Sequence, residues 1–228
     1  QSDWNVFIGA YAGYKLGDTG GLTGGNNGDS SYNIAIGYEA MGGGDDTVAN
    51  NVAAANVAIG HHALGGATRE SDGTALSGDQ NTVVGVFAME DATSASGSVI
   101  MGYQAGLNID SSNANVAIGS QALQEADAGS DGTVAIGYKA GKAQTNPGNQ
   151  GSVYIGNKAG QGVVNSSVVM IGWEAGAGYS GIGKAEAVTL IGHRAGYQAN
   201  DDAINNTGVG YAVFYNQTEG ARNTAMGR

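Results

Sequence analysis

Twelve times along the chain a β-branched residue and two further apolar residues stand in a row and end on glycine. The anchoring glycines are Gly9, Gly37, Gly60, Gly85, Gly102, Gly119, Gly137, Gly156, Gly172, Gly192, Gly210 and Gly227, spaced 16 to 28 residues apart. Asn115-Val116-Ala117-Ile118-Gly119 is the clearest copy. Directly before each glycine comes Ile, Val or Met, from Ile8 to Met226, and three residues before it comes Val, Ile or Thr, from Val6 to Thr224. Both columns suit a strand, and their spacing of two puts them on one face of it. Between them stand Phe7, Ala35, Ala58, Val83, Ile100, Ala117, Ala135, Tyr154, Met170, Leu190, Gly208 and Ala225, so the other face is apolar as well. Short strands at a fixed period predict an all-β fold, a parallel β-solenoid of about twelve coils, in a single repeat domain covering residues 1–228.

A strand that is apolar on both faces is buried on both faces. One coil of 16 to 20 residues has chain enough to cover only one of them. Further copies of the same chain are the simplest cover for the other, which predicts a homo-oligomer.

The remaining columns read as turn chemistry. Four residues before the anchor stand Asn5, Asn33, Asn56, Asn81, Ser98, Asn115, Thr133, Ser152, Asn206 and Asn223, with Val168 and Val188 as exceptions. Short polar side chains there can bond neighbouring backbone and can stack as a ladder from copy to copy. The anchor glycine suggests a bend or the close approach of another backbone. Three residues beyond it Ala recurs, from Ala12 to Ala195, and reads as a tight corner; Gly13, Gly106, Gly141, Gly160, Gly176 and Gly196 follow it and would let the chain turn back. Long loops are expected in 14–32, 42–55 and 65–80, with Pro147 in a shorter one.

Composition narrows the function. The 228 residues include 42 Gly, 1 Pro and no Cys, with 9 Lys+Arg against 20 Asp+Glu, a formal charge of −11. Hydrophobic content of 41% argues against disorder, and the glycines lack the period of collagen. Such acidity repels phosphate backbones and anionic membrane surfaces, which excludes nucleic acid as a partner. No apolar run approaches the ~20 residues of a membrane span, so no membrane insertion by this segment is expected. Without Cys there are no disulfide staples and no thiol chemistry.

Candidate chemistry is sparse. His61, His62 and His193 read as surface positions of the repeat, with no metal site expected. Asp45, Asp46, Asp131, Asp201 and Asp202 read as solvated turns, a Ca²⁺ loop being the minority alternative. Gly42-Gly43-Gly44 lacks the ending of a phosphate loop, and no nucleophile elbow accompanies the Ser residues. No cofactor and no enzymatic activity are expected. An ice-binding face would need one exposed column of repeated Thr, whereas Thr fills its column here only in part. The column directly after the anchor is the most aromatic: Tyr38, His61, Tyr103, Tyr138, Trp173, His193 and Tyr211. Tyr38, Tyr103, Tyr138, Trp173 and Tyr211 are the candidate ligand-binding residues, since exposed aromatics hold sugars or partner side chains; packing at a seam between chains is the competing reading.

The Asn-Val-Ala-Ile-Gly phrase, with Asn at the strand entrance and Ala three residues past the glycine, resembles the head repeats of trimeric autotransporter adhesins and the related repeats of phage tail fibres. The resemblance covers Asn5 to Gly227. It implies a left-handed parallel β-roll, a homotrimer, and an extracellular place on a virion fibre or a bacterial surface, with a host-surface glycan or protein as partner. The copies here are longer than the usual adhesin coil, and extended ones such as Asn206 to Tyr211 are closer to the fibre version. A chain that stops within its twelfth copy, at Met226-Gly227-Arg228, is expected to be a piece of a longer one. A non-enzymatic fibre segment for attachment is therefore the expected function. An adhesin head is one alternative, and a glycan-degrading fibre with carboxylates drawn from Glu70, Asp72, Glu90 and Asp91 is another.

Overall fold

The computed structural model describes residues 4–14, 16, 30–42, 52–65, 76–126, 130–143, 150–163, 167–178, 187–199, 205–217 and 220–228. Most of the three long loops lies outside these residues, as do Pro147, Asp45, Asp46, Glu70, Asp72, Asp201 and Asp202.

Each copy of the repeat yields one strand of three residues. In chain order they are β1 (Val6–Ile8), β2 (Ile34–Ile36), β3 (Val57–Ile59), β4 (Thr82–Val84), β5 (Val99–Met101) and β6 (Val116–Ile118), then β7 (Val134–Ile136), β8 (Val153–Ile155), β9 (Val169–Ile171), β10 (Thr189–Ile191), β11 (Thr207–Val209) and β12 (Thr224–Met226). All twelve form one parallel sheet in sequence order, and the described residues contain no helix. Register sets each column upon itself: Val116 pairs with Val134, Ala117 with Ala135 and Ile118 with Ile136. The fold is a β-solenoid, as the repeat predicts.

Strands this short hold because pairing continues around the turn that follows them. The anchor N–H reaches back to the preceding copy, as Gly137 does to the Ile118 carbonyl at 2.8 Å. The Ala N–H three residues on closes a turn onto the anchor carbonyl, Ala122 to Gly119 at 3.2 Å. One residue later the chain bonds forward, Leu123 N–H to the Ala140 carbonyl at 3.0 Å. The Ala column is fully buried from Ala40 to Ala195, which makes the corner as tight as the sequence suggests.

The anchor glycine is required by its neighbour's backbone. A Cβ built on Gly119 would lie 2.6 Å from the Gly137 carbonyl oxygen, and one on Gly137 would lie 2.5 Å from that of Gly156. With φ between +127° and +143° throughout, no other residue type fits without moving the next copy. Three further columns are left-handed; the one four residues past the anchor mixes glycines such as Gly106 and Gly160 with Met41, Leu64, Met89, Leu123 and Phe214, and the other two carry mostly ordinary side chains. The residue five before the anchor is left-handed in every copy (Tyr32, Ala55, Gln80 and Ala114 among them), as is the residue two after it from Tyr11 to Ala212. Composition gives no hint of either, because Gly stands there only at Gly97, Gly132 and Gly151.

The Asn column forms the expected ladder. Asn33 Oδ1 accepts the Asn56 N–H at 3.0 Å, Asn56 Oδ1 the Asn81 N–H at 2.8 Å and Asn81 Oδ1 the Ser98 N–H at 3.0 Å. Ser98 Oγ and Asn115 Oδ1 carry it on to Asn115 and Thr133. A second ladder runs the opposite way two residues earlier. Asp79 accepts from Ala54 N–H at 2.7 Å, Ser96 from Asp79, Asn113 from Ser96, and Asp131 from Asn113 at 2.6 Å. Asp131, in a turn as expected, is therefore also a structural acceptor between copies.

The interior is lined by the middle column of the strands and the column four residues past the anchor. In nearly every copy one of the two is large and the other small. Phe7 faces Gly13, Ile100 Gly106, Tyr154 Gly160, Met170 Gly176 and Leu190 Gly196. Conversely Ala35 accompanies Met41, Ala58 Leu64, Ala117 Leu123 and Gly208 Phe214. Each layer holds about one bulky side chain, supplied from either wall. Two copies depart from this: Val83 and Met89 are both sizeable and both buried, and Ala135 with Gly141 is filled by its neighbours, since a Cβ on Gly141 would lie 2.8 Å from the Tyr154 ring and 3.1 Å from Leu123.

The middle column is thus the inner face of the sheet. The outer face carries the other two columns, and in the single chain Val6, Ile8, Ile34, Ile59, Val99, Met101, Ile136 and Ile191 remain exposed. The partly filled Thr column is likewise outward, with Thr207 and Thr224 exposed.

The interior pairing predicts a compensating cycle. Tyr154→Ala should cost about 3–5 kcal/mol and Gly160→Leu about 1–3 kcal/mol. The double variant, with the Ala and Leu of the Ala58 and Leu64 copy, should recover at least about half of the summed loss. Thermal unfolding of the four proteins reads this directly, and simple additivity would refute shared use of one layer.

Candidate functional site

The backbone places the residue after the anchor on an outward row, one position per copy. Gln121 N–H bonds the Tyr103 carbonyl at 2.9 Å, Lys139 that of Ser120 at 3.0 Å, Lys158 that of Tyr138 at 2.7 Å, and Glu174 that of Asn157 at 2.9 Å. The row therefore reads, in spatial order, Tyr38, His61, Val86, Tyr103, Ser120, Tyr138, Asn157, Trp173, His193 and Tyr211. All five candidate ligand-binding residues lie on it, 41 to 58% exposed.

No two of the five touch ring to ring; intermediates link Tyr38 to Tyr103 and Trp173 to Tyr211, and among the described residues no ring contact joins Tyr138 to either group. Tyr38 stacks on His61 with centroids 5.3 Å apart and planes 17° from parallel. His61 meets Phe87 at 5.1 Å, and Phe87 meets Tyr103 at 6.3 Å. Farther along, Trp173, His193 and Tyr211 follow at 5.4 and 5.1 Å, with the Arg228 guanidinium 5.5 Å from the Tyr211 ring. Tyr138 has the Lys139 ammonium 5.0 Å from its centroid. Ser120 and Asn157 interrupt the row on either side of Tyr138. Phe87, a ring of the adjacent column, is the member that the column reading missed.

Beside this row runs the column two past the anchor, which pairs polar groups from copy to copy. His62, read from sequence as a surface position, is in fact half-buried between two carboxylates: Nε2 lies 3.0 Å from Glu39 Oε2 and Nδ1 3.2 Å from Glu90 Oε1. Burial raises the Glu90 carboxyl above its ordinary range, and the facing His62 works against this. Glu39 accepts a hydrogen bond from Tyr38 and holds that phenol's pKa up, so Tyr38 is already engaged. Gln104 Oε1 accepts from Gln121 at 3.2 Å and from Gln124 at 3.1 Å. Near Trp173, Glu174 lies between Arg194, whose Nε is 2.8 Å from Oε2, and Lys158, whose Nζ is 3.9 Å from Oε1.

These arrangements orient side chains and present rings. Of the carboxylates suggested for glycan cleavage, Glu90 faces His62, and Glu70 and Asp72 lie outside the described residues. Among the described residues no group of three or more His, Asp or Glu is placed to hold a metal ion, and no helix is long and apolar enough to cross a membrane.

The Glu174 pair predicts a pH dependence. Chiefly the Arg194 hydrogen bond, and with it the charges of Arg194 and Lys158, holds the carboxyl below its ordinary range against an opposing effect of burial. A lowered folded-state pKa gives stability that is present above the ordinary value of about 4.3 and lost as pH falls through the folded one. Glu174→Gln should therefore destabilise at neutral pH, by no more than about 1 kcal/mol because Arg194 is 40% exposed. The difference should close below about pH 4. Unfolding midpoints of both proteins across this range measure it.

In comparisons with known proteins, no family model, no curated protein and no solved structure matches this chain.

Proposed function

We propose that the chain is a non-enzymatic segment of a homotrimeric fibre that attaches a particle or cell to a surface. Its twelve copies are read as about twelve coils of a left-handed β-roll, and a phage tail fibre is the preferred setting. An adhesin head on a bacterial surface is the alternative. The observation that carries this reading is the outer face of the sheet. The interior is closed, yet a band of mostly Val, Ile and Met, with Thr in four copies, runs along the outside half-buried or exposed, and is exposed at Val6, Ile8, Ile34, Ile59, Val99, Met101, Ile136, Ile191 and Met226. Monomeric proteins rarely leave so extended an apolar strip in water. The strip repeats with the coil, so an identical strip on another copy of the chain matches it rung for rung. At about 4.8 Å per strand the eleven steps give a rod of roughly 50 Å.

The aromatic row supplies the attachment surface in this reading. Rings of Tyr and Trp bring large contact area at low entropic cost, and most of this row is already held in place by backbone pairing and neighbouring rings. The location is extracellular and the partner a surface glycan or protein. A glycan-degrading fibre remains the competing enzymatic reading.

Native mass measurement at micromolar concentration should give a trimer; a stable monomer would reject the architecture. Replacing Tyr138 and Trp173 together by Ala should leave the trimer intact and weaken adhesion to the target surface, whereas loss of the trimer would show that these rings pack a seam. Incubation with bacterial surface polysaccharide should release no new reducing ends, and their appearance would favour the enzymatic reading.

A further inference from the structure

We propose that the gap over Asn157, between Tyr138 and Trp173, is a binding slot for a single pyranose bearing a carboxylate, a uronic-acid type of sugar; this rests on the aromatic row proposed above for attachment. The gap is built by register. Lys158 N–H on the Tyr138 carbonyl and Glu174 N–H on the Asn157 carbonyl put the three residues on consecutive rungs. The two rings are therefore two strand spacings apart, about 9.6 Å at about 4.8 Å per rung. Van der Waals contact at about 3.5–4.0 Å on each side leaves room for one layer. A flat ring would be loose there, and a puckered pyranose takes up the remainder. Where rings fall on consecutive rungs of the row they meet directly, as Tyr38 and His61 do. The two rings beside Asn157 do not.

The floor and flanks select the sugar. Asn157 is exposed and offers an amide that both donates and accepts. The Trp173 indole donates to Glu174, one of the bonds that lower this carboxyl, which restrains the ring. On the adjacent column Lys139 and Lys158 occupy successive rungs. Among the described residues Lys139 has the Tyr138 ring and no carboxylate partner. Lys158 reaches Glu174 only at 3.9 Å, because Arg194 holds that carboxylate at 2.8 Å. Two ammonium groups beside an aromatic gap, on a chain of net charge −11, form a local cationic spot against the field of the whole molecule. A sugar carboxylate completes it. The neighbouring gap over Ser120, flanked by Gln104 and Gln121, has the same width and lacks the second lysine.

The test uses the intact chain, a short oligogalacturonate and the methyl ester of the same oligomer, followed by calorimetry and by Trp173 fluorescence in a Trp4→Phe background. The acid should bind, and the ester more weakly by on the order of tenfold, the loss of one charge-assisted contact. Asn157→Tyr, which fills the gap with the residue that other copies carry there, should abolish binding without lowering the unfolding midpoint. Lys139→Gln with Lys158→Gln should remove the preference for acid over ester. Failure of the acid to bind, equal binding of acid and ester, or binding indifferent to Asn157→Tyr would each overturn the proposal. Native mass on the same samples separates the two readings. A monomer that binds the acid through this gap keeps the slot and ends the fibre, and a trimer that does not bind it ends the slot alone.

Discussion

The structure depends on backbone stacked directly upon backbone at the anchor glycines. A carbonyl oxygen of the next copy occupies the place where a Cβ would project, from Gly9 through Gly210. This contact fixes the distance between copies and the direction in which the chain leaves the strand. It also keeps the N–H of each anchor in line with the carbonyl before it, as in Gly137 to Ile118. Once that column is set, all other columns fall into register. Ladders of side chains then become possible, because every Asn or Asp finds the same backbone N–H one copy away. The glycine column is thus the cause of the polar ladders and of the aromatic row alike.

Register also explains how the interior tolerates varied sequence. If layers were independent, each would need its own matched core. Here the two inward columns share one space, so Ala58 with Leu64 and Tyr154 with Gly160 are equivalent solutions. Gly141 shows that a layer can also be filled from an adjacent one, by Tyr154 and Leu123. Overpacking and voids carry comparable costs, so selection acts on the pair and leaves each position free.

Much of this was legible in the sequence. The strand, its parallel stacking, the close approach at the anchor glycine and the Asn ladder all follow from columns whose residues nearly repeat. What stayed hidden lies where the columns do not repeat. Left-handed backbone at Tyr32, Gln80, His62 or Lys139 has no compositional mark, since the surrounding hydrogen bonds impose it and the side chain merely accepts it. The large and small exchange is hidden because each column alone looks irregular, and the regularity shows only when the two are taken together. The partners of Asp131 and His62 are hidden for a similar reason: Asn113 and the Glu39 and Glu90 carboxylates lie in other copies, and only register brings them near. The aromatic row was visible as a column. The significance of its interruptions at Ser120 and Asn157 was not, because a gap acquires a width only when the rungs on both sides are known to be consecutive.

The same register divides the surface into two kinds of strip. On the outer face of the sheet the repeated residues are aliphatic and nearly uniform, and uniformity suits a partner that repeats with the same spacing. On the row after the anchor the residues change from copy to copy, from rings to Ser120 and Asn157, and the charge beside them changes too, positive at Lys139 and Lys158, negative at Glu174 and positive at Arg194. A partner with the solenoid's own period gains nothing from such variation, whereas a ligand without that period can be selected by it. In the proposed reading self-association belongs on the monotonous strip and recognition on the varied one, and a single glycine column holds both at fixed positions.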